Sequence, residues 1–163
     1  MNYFELFDIP VSLKVDKSPL AKKYFELQKQ YHPDFFTQSD AAAQNEALVK
    51  SSMINKALKV LQQPEATIQY VLQLKGLLEE NEKYNLPPDF LMDMMDLNEK
   101  LTEEASEVFK ESVNQIETDI YNEVKNIIET YNNEAITMEN LQKVKEYYFK
   151  KKYLQRILDR MDD

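Results

Sequence analysis

Apolar positions along this chain recur at helical spacing over most of its length. Leu20, Tyr24, Leu27 and Tyr31 stand at i, i+4, i+7 and i+11, one buried stripe of a helix. Lys22 and Lys29 fall on its opposite face, with Lys23 at the margin. Ala47, Ser51, Ile54, Leu58 and Leu61 predict a second, longer helix. Val113, Ile116, Ile120, Val124, Ile127 and Tyr131 step by 3, 4, 4, 3 and 4, the seam of an antiparallel bundle. Leu141, Val144, Tyr148, Leu154 and Leu158 predict a last helix, irregular around Lys151.

The breakers between these stripes divide the chain. Pro10 ends a short helix predicted over residues 2–9. Ser18-Pro19 predicts a helix start, with Ser as cap and Pro at the first helical position. Pro33 steers His32 out of the α region, so His32 belongs to a loop. The long helix resumes near Ser39 or Asp40 and ends before Pro64, and a shorter helix runs over 64–75. Gly76 stands where a helix end wants a left-handed residue. Residues 77–88 are acidic, close with Leu86-Pro87-Pro88 and read as a linker, with Asp89 capping the next helix. One further break is expected near 102–107, and Asn132-Asn133 supplies another. The reading is all-α: a first domain over 1–76, a linker over 77–88 and a three-helix bundle over 89–163.

Composition narrows the function classes. One Gly and six Pro leave little room for hairpins, which supports the helical reading. A single Gly excludes a glycine-rich phosphate loop. With no Cys the chain forms no disulfide and holds no iron–sulfur cluster on its own thiolates. With one His, a zinc site or a bundle carboxylate metal site with its Glu-x-x-His pairs is not expected. No catalytic constellation, metal or cofactor is therefore predicted. No apolar run is long enough for a membrane span, and the opening MNYFELFDIP lacks a basic segment and an apolar signal core, so a cytoplasmic address is expected.

Charge is uneven. Residues 1–76 carry 9 Lys against 8 Asp and Glu, whereas residues 77–163 carry 11 Lys and Arg against 21 acids. Nucleic acid is a poor partner for so acidic a second half, and a basic protein fits better.

The helix starting near Asp89 has two apolar faces. At about 100° per residue, Phe90, Met94, Leu97 and Leu101 gather within roughly 60° and make the core face. Leu91, Met92 and Met95 lie on a different face, together with Asp96, Glu99 and Glu103. One stripe suffices for a bundle. A second, rimmed by acids and rich in adaptable Met, has the composition of a docking surface.

His32-Pro33-Asp34 follows an amphipathic helix with a basic outer face and precedes a long helix of opposite direction. In that setting the chain resembles a J-domain, as do the segments MNYFELFDIP and LQKQYHPD. SSMINKALKVLQQPEATIQYVLQL and FLMDMMDLNEKL resemble the HscB subgroup in particular, in its bacterial form without a cysteine-rich leading segment. The resemblance implies an N-terminal J-domain and a C-terminal three-helix bundle in an L shape. It further implies a co-chaperone rather than an enzyme. His32, Pro33 and Asp34, with Lys22, Lys23 and Lys29, would bind an HscA/DnaK-type chaperone and stimulate its ATPase. Leu91, Met92, Met95, Asp96, Glu99, Glu103 and Tyr153 would bind an IscU-type iron–sulfur scaffold protein. The family's basic residue after His-Pro-Asp is here Phe35, followed by the aromatic Phe36, which leaves the positive charge to the three lysines. The competing reading is an acidic helical adaptor, or a J-protein serving a different client, with His-Pro-Asp incidental in the adaptor case.

Overall fold

A computed structural model describes the backbone of residues 1–103 and 106–161 and the side chains of 1–101 and 107–160. The elements are α1 (Tyr3–Leu6), α2 (Lys17–Tyr31), a 3₁₀ turn (Pro33–Phe36), α3 (Ala41–Leu61), α4 (Pro64–Leu74), α5 (Pro88–Glu103), α6 (Ser106–Asn122), α7 (Lys125–Glu129) and α8 (Met138–Met161). Among the described residues there is no strand. The chain divides into two compact units, Met1–Val71 and Leu72–Asp163.

In the first unit α1 is shorter than the 2–9 expected. Asn2 Oδ1 accepts the Glu5 N–H at 2.8 Å and starts it; Asp8, at φ +52°, ends it. The start of α2 also differs from expectation. Its cap is Asp16, so Ser18 and Pro19 lie inside the first turn. Pro is tolerated there because the first four N–H groups of a helix have no internal acceptor to lose. The helix stops at His32, which is extended (ψ 131°) before Pro33. Asp40 caps α3 through Ala43 N–H at 2.8 Å.

Helices α2 and α3 form an antiparallel pair. Tyr24 Oη and Gln28 Nε2 both donate to Asn55 Oδ1, and Lys50 lies over the Tyr31 ring. Rising numbers on α2 thus meet falling numbers on α3. Ala47, Ser51, Ile54 and Leu61 are buried, while Ala57 takes the place expected of Leu58, which is half-buried. From α2 only Leu20 is fully buried; Phe4 and Phe7, at the start of the chain, are buried too. Each such large apolar side chain contributes about 1.5–3 kcal/mol by leaving water. Tyr70 on α4 stacks on Tyr3 at 4.6 Å and accepts the Tyr3 N–H, tying the chain start to α4.

Gly76 ends α4 as its position predicts. It has φ +71°, donates to Gln73 C=O, and is followed by Leu77 N–H donating back to Leu72 C=O. This is the paired closure of a Schellman end, which favours glycine.

In the second unit α5, α6 and α8 pack pairwise into a bundle, with α7 against α6 and α8. Pro88 already opens α5, so Asp89 belongs to its first turn. The break expected near 102–107 falls between α5 and α6, where residues 104–105 lie outside the described residues. The seam expected to run unbroken to Tyr131 is interrupted at Val124, which adopts φ −121°, ψ 0°. Val113, Ile120 and Val124 are buried, but beyond the break the phase slips by one residue, so Ile128 is buried and Ile127 only half-buried. Ile116 and Tyr131 are half-buried as well. Tyr121 Oη donates to Glu129 at 2.8 Å across the break; burial first, and then that carboxylate, push its phenol up to about 12. Helix α8 is continuous through Lys151. Leu141, Val144, Tyr147, Tyr148, Leu154 and Ile157 are buried, with Leu158 at the margin.

Candidate functional site

The turn between α2 and α3 presents His32, Pro33 and Asp34. Pro33 opens the 3₁₀ turn, and His32 Nδ1 accepts the Asp34 backbone N–H at 3.2 Å. An accepting Nδ1 puts the proton of the neutral ring on Nε2. The Asp34 carboxylate lies 3.6 Å from the same Nδ1 and is 86% exposed. Phe35 sets its ring edge-on to His32 at 6.2 Å and is itself largely exposed. The turn therefore offers an oriented imidazole, an exposed carboxylate and an exposed aromatic ring.

Of the lysines on α2, Lys22 and Lys29 are exposed; Lys23 is half-buried and sits 3.8 Å from the Asp8 carboxylate. Phe25, also exposed, lies between Lys22 and Lys29 at i+3 and i+7 spacing. The basic face thus has an aromatic ring at its centre, which charge patterning passed over. The signal available was Phe25 standing off the Leu20–Tyr24–Leu27–Tyr31 stripe.

The second surface is on α5. Phe90, Met94 and Leu97 are buried, whereas Met92 and Met95 are 65% and 64% exposed. Asp96 and Glu99 are exposed beside them, and Leu91 is half-buried. Glu103 closes α5, with its side chain outside the described residues. Tyr153 on α8 sets its ring edge-on to Phe90 at 6.3 Å and lines, together with Leu91, an open cavity of about 380 Å³. Tyr153 and Leu91 thus share one concave site, with Met92 next to Leu91 in α5 and Met95 one turn further on.

Three further cavity residues escaped the periodicity. Tyr84, from the segment before α5, stacks on Phe149 of α8 at 4.7 Å with the rings 2° from parallel. Arg156, an exposed residue, lines the cavity as well. Phe149, Tyr153 and Arg156 recur at i, i+4 and i+7, a signal that was available; Tyr84 lies in a segment without periodicity. Burial pushes the Tyr84 phenol above its ordinary value. Among the described residues no cluster of three His, Cys, Asp or Glu is placed to hold a metal, and no helix is long and apolar enough to cross a membrane.

Comparison with known proteins agrees with this architecture. A family profile described as the HSCB C-terminal oligomerisation domain matches residues 86–162. The co-chaperone protein HscB homolog of Haemophilus ducreyi is 40% identical over 104 residues, which is 61% of this chain and 59% of that protein. The match thus spans less than two thirds of that relative's length. The mouse iron-sulfur cluster co-chaperone protein HscB is 30% identical over 161 residues, 98% of this chain and 67% of that protein. The human co-chaperone HscB crystal structure superposes with a TM-score of 0.81 at 28% identity, covering 99% of this chain and 81% of that one. The chaperone HscB from Vibrio cholerae gives 0.80 at 25% identity, covering 99% and 96%.

A helical pair closed by His-Pro-Asp, followed by a separate helical bundle, defines a J-domain co-chaperone. The chain belongs to the HscB family of co-chaperones.

Proposed function

We propose that this protein stimulates the ATPase of an HscA/DnaK-type chaperone and delivers an IscU-type iron–sulfur scaffold protein to it. The single observation that carries the reading is the His32-Pro33-Asp34 turn, with its carboxylate exposed at the end of the α2–α3 pair. Asp34, His32 and the lysines Lys22, Lys23 and Lys29 engage the chaperone. A partner can shift the chaperone toward its hydrolysing state only by binding that state more tightly. Such a role needs no bond chemistry and no cofactor in the co-chaperone itself.

Leu91, Met92, Met95 and Tyr153 hold the scaffold, with Asp96, Glu99 and Glu103 at the rim. The supporting observation is that Met92 and Met95 expose apolar surface that the bundle core does not use. The division of labour follows residues 1–76 for the chaperone and 89–163 for the scaffold, joined by 77–88.

The deciding experiment is the ATP turnover of an HscA/DnaK-type chaperone, alone, with this protein, and with this protein plus an IscU-type scaffold. Stimulation by the protein and a further rise with scaffold are expected. Turnover unchanged by the protein would remove the reading.

A further inference from the structure

We infer that the cavity beside Leu91 is a socket for an apolar side chain of the scaffold partner that adjoins a carboxylate, and that Arg156 and Lys152 bind that carboxylate. The inference rests on the scaffold-binding reading of α5 and extends it to a charged contact on α8.

The cavity is built rather than incidental. One wall is the Tyr84–Phe149 stack. The Tyr84 segment is held by Glu82, whose carboxylate pairs with Lys145 at 2.8 Å while both side chains are mostly buried, at 19% and 13% exposure. The Lys145 ammonium also lies 5.7 Å over the Tyr84 ring. Leu91 and Tyr153 also line the cavity, the latter braced edge-on by Phe90. A socket held in shape in this way loses little conformational freedom on binding. Its volume, about 380 Å³, is at the small end of the roughly 300–1,000 Å³ of ligand pockets, and it is open to solvent. Those dimensions suit one or two side chains of a protein partner better than an enclosed small molecule.

Charge gives the second half of the argument. Residues 77–163 carry an excess of ten acids, and most lysines of mid-α8 are already matched within the bundle. Lys150 pairs with Glu123 and Glu146, Lys151 with Glu117, and Lys145 with Glu82. Lys152 and Arg156 differ: both line the cavity, both are exposed, and neither is in an ion pair among the described residues. Lys152 only overlies the Tyr148 ring at 5.9 Å. Two unmatched cations beside an apolar socket, in an otherwise acidic unit, call for a carboxylate from outside. The planar guanidinium fork of Arg suits that carboxylate best. Asp96 and Glu99 are exposed beside Met92 and Met95 on α5. The apolar patch therefore has cations on α8 at the cavity and acids beside it on α5, and a partner of complementary charge is oriented by the two.

The test uses the full chain and an IscU-type scaffold, with binding followed by calorimetry at several salt concentrations and each variant melted in parallel. Lys152→Glu with Arg156→Glu is expected to weaken binding about tenfold or more, the loss of a charge-assisted contact replaced by repulsion. Arg156→Gln should give a smaller loss. Neither should move the melt, since both side chains are exposed. The salt dependence of affinity should flatten in the double variant. Wild-type affinity and salt dependence in both variants would overturn the inference. Leu91→Ala with Met92→Ala and Met95→Ala separates the two readings. If that triple abolishes binding while the charge variants are silent, only the socket fails; if it too leaves binding intact, the scaffold surface itself is misassigned. Self-association of the wild type that the double variant loses, measured by sedimentation, would show that a second copy occupies the socket and would also overturn the inference.

Discussion

Lys150 and Glu123 form an ion pair of 3.2 Å between the buried side of α8 and the turn that separates α6 from α7. Lys150 is a buried residue, with its ammonium also 3.5 Å from Glu146 and 5.5 Å over the Phe90 ring. Its aliphatic stem occupies a core position, and only its head reaches polar partners. Lys150→Ala therefore removes packing as well as charge and should cost about 2–4 kcal/mol. Lys150→Met keeps the stem and should cost under about 1 kcal/mol, because Glu123 is 59% exposed and returns to water. Urea denaturation of the two variants checks this. Equal losses would show that the charge, not the stem, fixes α8.

The same lysine shows where periodicity stops being readable. Between Tyr147 and Leu154 the stripe needs an apolar residue and the sequence offers Lys150, Lys151 and Lys152, so the last helix reads as irregular there. It is continuous because a lysine stem can stand in for an apolar side chain. The interruption at Val124 was hidden for the converse reason: the apolar spacing continues through it, with no Gly or Pro to mark it. The two faces of α5 were legible, since Phe90, Met94 and Leu97 sit about 100° or more from Met92 and Met95 and nothing else competes for the core. The cavity was not, because Tyr84 meets Phe149 across 65 positions of sequence that carry no joint pattern.

The Glu82–Lys145 pair predicts an acid response. The hydrogen bond from Lys145 is the main cause that holds the Glu82 carboxyl below its ordinary range. A carboxylate depressed in the folded state adds stability that is present above its unfolded value and is lost as pH falls through the folded one. Between neutral pH and the acid limb, wild type should therefore lose stability more steeply than Glu82→Gln. Thermal melts at stepped pH measure it, and parallel curves would count against the strut. Loss of the strut should also loosen the Tyr84–Phe149 stack, visible in the near-ultraviolet circular dichroism.

At the other site, His32→Gln and Asp34→Asn are expected to abolish stimulation of chaperone ATP turnover while changing stability by no more than about 0.5 kcal/mol, because the Asp34 side chain is 86% exposed, the His32 side chain 46% exposed, and both lie in a turn outside the core. Steady-state turnover beside a melt decides it; stimulation retained in both variants would defeat the J-domain mechanism for this chain.

The lysines of α2 should separate by their surroundings. Lys22→Glu and Lys29→Glu change only exposed positions and should slow chaperone association, with the wild-type rate falling as salt rises. Lys23→Glu also sets a second carboxylate opposite Asp8, which now lies 3.8 Å from the ammonium, so it alone should lower the melting temperature slightly. Stopped-flow association across ionic strengths tests the set. A rate indifferent to salt would leave the basic face without a role.

The most exposed prediction concerns the two faces of α5. Met92 and Met95 face solvent and Leu91 only lines the open cavity, so replacing all three by Ala removes little from the core. The triple should cost at least ~2 kcal/mol of scaffold affinity, as loss of a central apolar cluster typically does, and under about 1 kcal/mol of stability. The matching triple on the other face acts in the opposite sense. Phe90 and Leu97 are buried and Leu101 is half-buried, so Ala at all three opens cavities worth several kcal/mol and should unfold the bundle. A domain of this size has only about 5–15 kcal/mol to lose. Calorimetric binding beside thermal melts distinguishes the faces: an early melt in the first triple with a stable second would mean that Met92 and Met95 carry packing and that Phe90 and Leu97 do not.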